Sequence, residues 1–174
     1  AIDTLVKVDL STMSELQLTQ LERGYDVHLK GGKLSVLATT INQDNDENIE
    51  LVTEKAKAGY TTGFADPEYI KILPTFSMPF LSRDRKYRTF QISGDSMLPI
   101  PHGSYVTGEY VIDWTYIKSG MPYIVLPQDD GIVFKMVENK IENERKLTLS
   151  SLNTLYHPYD LSVNDIKEVW KFVH

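Results

Sequence analysis

From Tyr87 onward the chain is divided into short runs. "YRTFQIS", "SYVTGEYVI", "MPYIVLP", "GIVFKMV" and "KLTLSS" are rich in tyrosine and β-branched residues, the types that suit a pleated, half-buried surface. Turn signals separate them at "GDSMLPIPHG", "KSG", "QDDG" and "ENKIENER". Many short strands at this spacing predict a mainly β fold built on a partly closed sheet. Two earlier runs, "KLSVLATTI" and "NIELVTE", flank "NQDNDEN", which reads as a hairpin turn. "KAKAGYTTGFADPEY" reads as a loop containing Gly and Ala. The last segment, "DIKEVWKFVH", places Ile166, Val169, Trp170 and Val173 at helical spacing, but Val169, Phe172 and Val173 also suit a strand. It is read here as the final strand.

The first 33 residues differ from the rest. "STMSELQLTQLERGYD" has Ser11 or Thr12 as a cap, Met13, Leu16, Leu18 and Leu21 near helical spacing, and Gly24 as a stop. A helix of about three turns is marginal alone, so it is expected to dock or to act as a lever. "KGGK" reads as a flexible join. The expected organisation is a helical linker or appendage over residues 1–33 and one β domain over residues 34–174.

A length of 174 residues suits one such domain with a short appendage. The chain has no cysteine, which removes disulfides, thiolate catalysis and cysteine zinc sites. Its net charge of −6 repels nucleic acid phosphates, so another segment must make any DNA contact. No apolar run approaches the ~20 residues that cross a bilayer. The opening "AIDTLVKVDL" lacks the basic start and long apolar stretch of a secretory signal. "DNDENIELVTEK" imitates the start of a calcium loop, yet it has Ile49 and Lys55 where Gly and Glu are required. No phosphate-cradling glycine loop is present, and no metal or cofactor is expected.

The residues with chemical promise are few. Ser96 sits at the break in "FQISGDSMLPIPHGS", where ordinary turn chemistry also places serine. A serine nucleophile needs a base near neutral pH. The histidines are His28, His102, His157 and His174, and a triad through His157 and Asp160 has no local support. Lysine is the other base. Lys135 lies in "DDGIVFKMVEN", between Phe134 and Met136. Strand alternation would point it to solvent. Apolar surroundings would instead desolvate it and lower its pKa. At the ordinary lysine pKa only about one amine in a few thousand is neutral at pH 7, so a lysine base requires that burial. The third element is Ala58-Gly59 in "EKAKAGYTTGF". It is either a flexible joint or a peptide bond slim enough for a tight site.

Together these features resemble the S24 peptidase family, the C-terminal domain of LexA, UmuD-like proteins and lambda-type phage repressors. "GDSMLP" holds the serine, Lys135 follows 39 positions later (135 − 96), and "LTLSSLNTLYHPY" comes after it. "KAKAGY" precedes the serine, with Ala58 38 positions before Ser96 (96 − 58). The resemblance covers roughly residues 34–174. It implies a LexA-like, signal-peptidase-like β-clip fold. It also implies a Ser96 nucleophile, a Lys135 general base, an oxyanion hole from the backbone amides of Asp95 and Ser96, and self-cleavage at Ala58-Gly59. It further implies a homodimer in the bacterial cytoplasm, encoded by a bacterium, phage or prophage. Operator binding would run through a helix-turn-helix domain upstream of Ala1, and the trigger would be a RecA filament, as in an SOS response, or an antirepressor. Two positions depart from the family's pattern. His102-Gly103-Ser104 stands where Asp-Gly-Asp is frequent, and Met136 where Arg often follows the lysine. The alternative reading is a dimerising, partner-sensing module of a helix-turn-helix repressor that does not cleave. A signal peptidase would use the same chemistry but would need a membrane anchor.

Overall fold

Strands dominate the computed structural model, which describes residues 26–30, 33–41 and 48–174. The expected helix over residues 11–24 lies outside them. Strands β1 (Asp26–Lys30) and β2 (Lys33–Leu37) form a two-stranded antiparallel sheet, in register from Asp26↔Leu37 to Lys30↔Lys33. Strand structure therefore begins before position 34. Gly31 and Gly32, the centre of the expected flexible join "KGGK", lie outside the described residues.

The main sheet has nine strands. These are β3 (Ile49–Val52), β4 (Thr75–Phe76), β5 (Tyr87–Gln91), β6 (Tyr105–Tyr110), β7 (Met121–Pro127), β8 (Val133–Lys140), β9 (Lys146–Ser150), β10 (Tyr159–Ser162) and β11 (Ile166–Phe172). Their order is β10-β9-β8-β7-β11-β6-β5-β3-β4. All neighbours are antiparallel except β3 and β5, which run parallel. The C-terminal strand thus sits inside the sheet, between β7 and β6. The fold is mainly β, as the sequence predicts. Of the two runs that flank the turn expected at "NQDNDEN", β2 pairs with β1 and β3 with β4 and β5; residues 42–47 of that turn lie outside the described residues. Among the described residues, a backbone bond from the Asn48 N–H to the Thr40 carbonyl at 2.9 Å joins the two runs.

Central strands are buried on both faces. In β7, Ile124 and Leu126 enter one core with Phe90, Val106 and Trp170. Tyr123 and Val125 enter a second core with Val137, Leu147, Leu149 and Val169. In β11 the register shifts between Ile166 and Glu168. An extra residue of this kind reverses the side-chain alternation beyond it. Ile166 and Val169 therefore share the second core, which explains the helix-like spacing in the sequence of a strand.

"KAKAGYTTGFADPEY" is not a loop. A 3-10 turn over Glu54–Ala56 leads into α1 (Lys57–Gly63), and α2 (Pro67–Lys71) follows. Asp66 caps α2 by accepting the Glu68 N–H at 3.0 Å, with Pro67 at the first helical position. No comparable cap opens α1; tertiary contacts hold it. Tyr60 is fully buried, and its hydroxyl accepts from Arg88 Nη1 at 2.8 Å and donates to Glu168 Oε2 at 2.5 Å. Arg88, itself fully buried, also donates to Glu50 from Nε (3.1 Å) and Nη2 (3.0 Å) and to the Ala38 carbonyl (2.6 Å). Trp170 Nε1 donates to Glu168 at 3.0 Å. One polar network thereby ties β3, β5, β11, α1 and the end of β2 together.

Candidate active site

Ser96 follows the end of β5. Gly94 adopts φ +86°, a left-handed conformation that glycine enters without steric cost. It turns the chain away from the sheet at Ser93-Gly94-Asp95-Ser96. His102 closes this turn by accepting the Gly94 N–H on Nδ1 at 3.1 Å. The Asp95 carbonyl takes the Leu98 N–H at 3.3 Å, and the Ser96 carbonyl takes the Asn153 N–H at 3.0 Å. The turn is therefore fixed on both sides, and Ser96 is half-buried in it.

Lys135 is supplied by β8. It faces Tyr123 of β7 across the ladder and shares its strand face with Val133 and Val137. Only 9% of it is exposed. Burial holds its amine below the ordinary lysine range. The amine donates to Ser151 Oγ at 2.8 Å. Ser151 follows β9 directly, and β9 is the neighbour of β8. The sequence reading did not single out Ser151, although it lies within the quoted "LTLSSLNTLYHPY". The available signal was register, since a hydroxyl beyond the end of the adjacent strand meets a lysine on the same face.

The two residues meet at one cavity of about 100 Å³. Ser96 and Lys135 line it, with Ile92, Met97, Ile100 and Phe134 as its apolar wall. Lys57, the residue before Ala58, stands on its rim and donates to Ser93 Oγ at 3.0 Å. The Ala58-Gly59 peptide lies inside α1. The Ala58 carbonyl accepts from Thr61 Oγ1 at 2.7 Å and the Gly59 carbonyl from Thr62 Oγ1 at 3.0 Å. Ala58 faces a neighbouring cavity of about 230 Å³ with Thr61, Gln128 and Asp130. The fold therefore gathers serine and lysine in one pocket and leaves the Ala-Gly bond just outside it.

His102 and Asp160, two groups a histidine-based site would draw on, are engaged elsewhere. His102 uses Nδ1 on the serine turn. Asp160 accepts from Lys146 at 2.8 Å and Thr148 at 2.7 Å across the β9–β10 pair. Its carboxyl is held below the usual range by Lys146 first and Thr148 second, so it is engaged as a strand-pairing carboxylate. Among the described residues, no group of three or more acidic, histidine or cysteine side chains is arranged to hold a metal ion. Among the same residues, no helix is long and apolar enough to cross a membrane. No protein-family model matches this chain, and comparison with curated proteins gives no match.

Proposed function

We propose that this chain carries a self-cleaving Ser/Lys peptidase domain of the S24 type, with the β-clip fold of LexA-like regulators. The observation that carries the reading is the shared cavity. A turn-held serine and a buried lysine with a lowered pKa line the same small cavity. An amine neutral at working pH accepts a proton, and a hydroxyl that gives one up becomes a nucleophile.

Chemistry would begin when α1 unwinds and carries Ala58-Gly59 into the cavity that Lys57 already borders. Ser96 Oγ attacks the Ala58 carbonyl carbon while its proton passes to Lys135 Nζ. The backbone amides of Asp95 and Ser96 receive the negative charge on the carbonyl oxygen. Lys135 then returns the proton to the Gly59 nitrogen, the C–N bond breaks, and Ala58 is left as an ester on Ser96. Water, deprotonated by Lys135, hydrolyses that ester. Delivery within one chain replaces a binding step by a conformational one, so a RecA filament or an antirepressor can act on the segment rather than on the chemistry. The domain would dimerise and hold two upstream helix-turn-helix domains together. Cleavage would separate them and weaken operator binding.

The helical state of Ala58-Gly59 favours a second reading, a dimerising and partner-sensing module in which cleavage is slow or lost. Incubation at alkaline pH followed by intact-mass measurement separates the two. The peptidase reading expects fragments 1–58 and 59–174 from the wild type and none from Ser96→Ala. Equal behaviour of the two proteins removes it and leaves the module.

A further inference from the structure

The segment between β9 and β10 does more than connect them. Within six residues it reaches both halves of the candidate dyad. Ser151 Oγ accepts from the Lys135 amine. The Asn153 N–H donates to the Ser96 carbonyl at 3.0 Å, and Asn153 Nδ2 donates to the Asp95 carbonyl at 3.2 Å. The Tyr156 hydroxyl donates to Asp95 Oδ1 at 2.5 Å, while the Tyr156 ring lies 5.5 Å from the Lys135 Nζ. Asn153 also accepts the Leu155 N–H at 3.1 Å and the Tyr156 N–H donates back to its carbonyl at 3.2 Å, so the brace is internally rigid.

From this we infer that Asn153 and Tyr156 are positioning residues that set the serine turn against the lysine. The inference rests on the Ser/Lys reading above. Asn153 fixes the height of the turn through two backbone carbonyls, one of which belongs to the nucleophile's own residue. Tyr156 acts at both ends. Its hydroxyl holds Asp95, whose amide lies beside that of Ser96, and its ring covers the amine. A ring face attracts the ammonium form and so opposes the desolvation that favours the neutral form. The groups around the amine are Ser151 and Tyr156 from this segment, Tyr123 from β7, Lys57 across the cavity from α1, and Asp95 behind the Tyr156 hydroxyl. Asp95 and Lys57 are the charged ones. Tyr156→Phe and Tyr156→Leu both release Asp95, so the difference between their midpoints reports on the ring alone.

Three variants of the full chain, Asn153→Ala, Tyr156→Phe and Tyr156→Leu, test this, each first shown to unfold cooperatively like the wild type. The titration of the ¹⁵N-labelled Lys135 amine is followed by NMR, which does not depend on turnover. Tyr156→Phe keeps the ring and should leave the midpoint unchanged. Tyr156→Leu removes the ring and should lower the midpoint by about half a pH unit or more, the size of a ring–cation attraction. Asn153→Ala should keep the midpoint and slow self-cleavage about tenfold or more, as a misplaced nucleophile does. A Tyr156→Leu midpoint equal to the wild type overturns the role of the ring. Wild-type cleavage speed in Asn153→Ala overturns the role of the turn contact. If the wild type itself never cleaves, the Ser/Lys reading fails, while the amine midpoints still decide whether the ring acts on Lys135.

Discussion

Lys135 loses most of its hydration between β7 and β9 and gains one hydroxyl, that of Ser151, in return. Its pKa is lower in the folded chain than in the unfolded one. Below the folded pKa both states carry the proton, and the folded state bears the full cost of a buried ammonium. As pH rises from the folded pKa to the ordinary value near 10.4, the unfolded state binds more protons and stability increases. Lys135→Met should therefore be more stable than the wild type at neutral pH, with the difference shrinking as pH rises. Denaturant unfolding at several pH values reads this directly, and a gap that stays constant with pH would count against a desolvated amine. Gly108 in β6 is a second sharp test. A Cβ there would lie 2.6 Å from Trp170 Cβ and 2.9 Å from Ile124 Cδ1. Gly108→Ala should cost about 1–3 kcal/mol by overpacking, seen as a lower thermal midpoint.

Among the elements, α1 is the one on which the proposed function turns. Its sequence, "KAGYTTG", contains two glycines and two threonines, poor helix formers that give it little helical preference of its own. Tyr60 holds it through Arg88 and Glu168. Burial pushes the Tyr60 phenol well above its ordinary pKa, so it stays protonated and continues to donate. Tyr60→Phe takes one partner from both Arg88 and Glu168, at a cost of about 1–3 kcal/mol. Amide exchange in α1 should quicken, and self-cleavage with it. An unchanged exchange rate would show that the network does not hold the helix. The contrast with the strands explains what the sequence revealed. β5 to β9 announce themselves by residue type and turn signals, because their alternation and propensity agree. β11 is harder to read, because its bulge gives Ile166 and Val169 a helix-like spacing. α1 could not be read locally, because buried partners from β5 and β11 stabilise it. The cap of α2 at "ADPEY" was legible and was passed over.

At the scale of the whole molecule, a fully buried ion pair among the described residues joins Arg88 and Glu50. Arg88→Met leaves the Glu50 carboxylate with the Thr40 N–H and hydroxyl as its remaining described donors. Loss of one member of such a pair costs about 3–5 kcal/mol, and a chemical denaturation curve should show it as a single early transition. The same sheet brings distant parts of the chain to the cavity. Ser96 and Lys135 were visible in the sequence as a serine at a turn and a lysine in an apolar strand. Ser151, Asn153 and Tyr156 were not assigned roles, because only the β8–β9 pairing and the meeting of two loops give them contacts. The central proposal is that Lys135, its pKa lowered by burial, activates Ser96. Its most direct test is the rate of appearance of fragment 59–174 as a function of pH, in the wild type and in Ser96→Ala. The predicted result is a wild-type rate that rises with pH and levels off before an ordinary lysine would titrate, with no fragment from Ser96→Ala. A rate that climbs without a plateau and is the same in both proteins would contradict the claim.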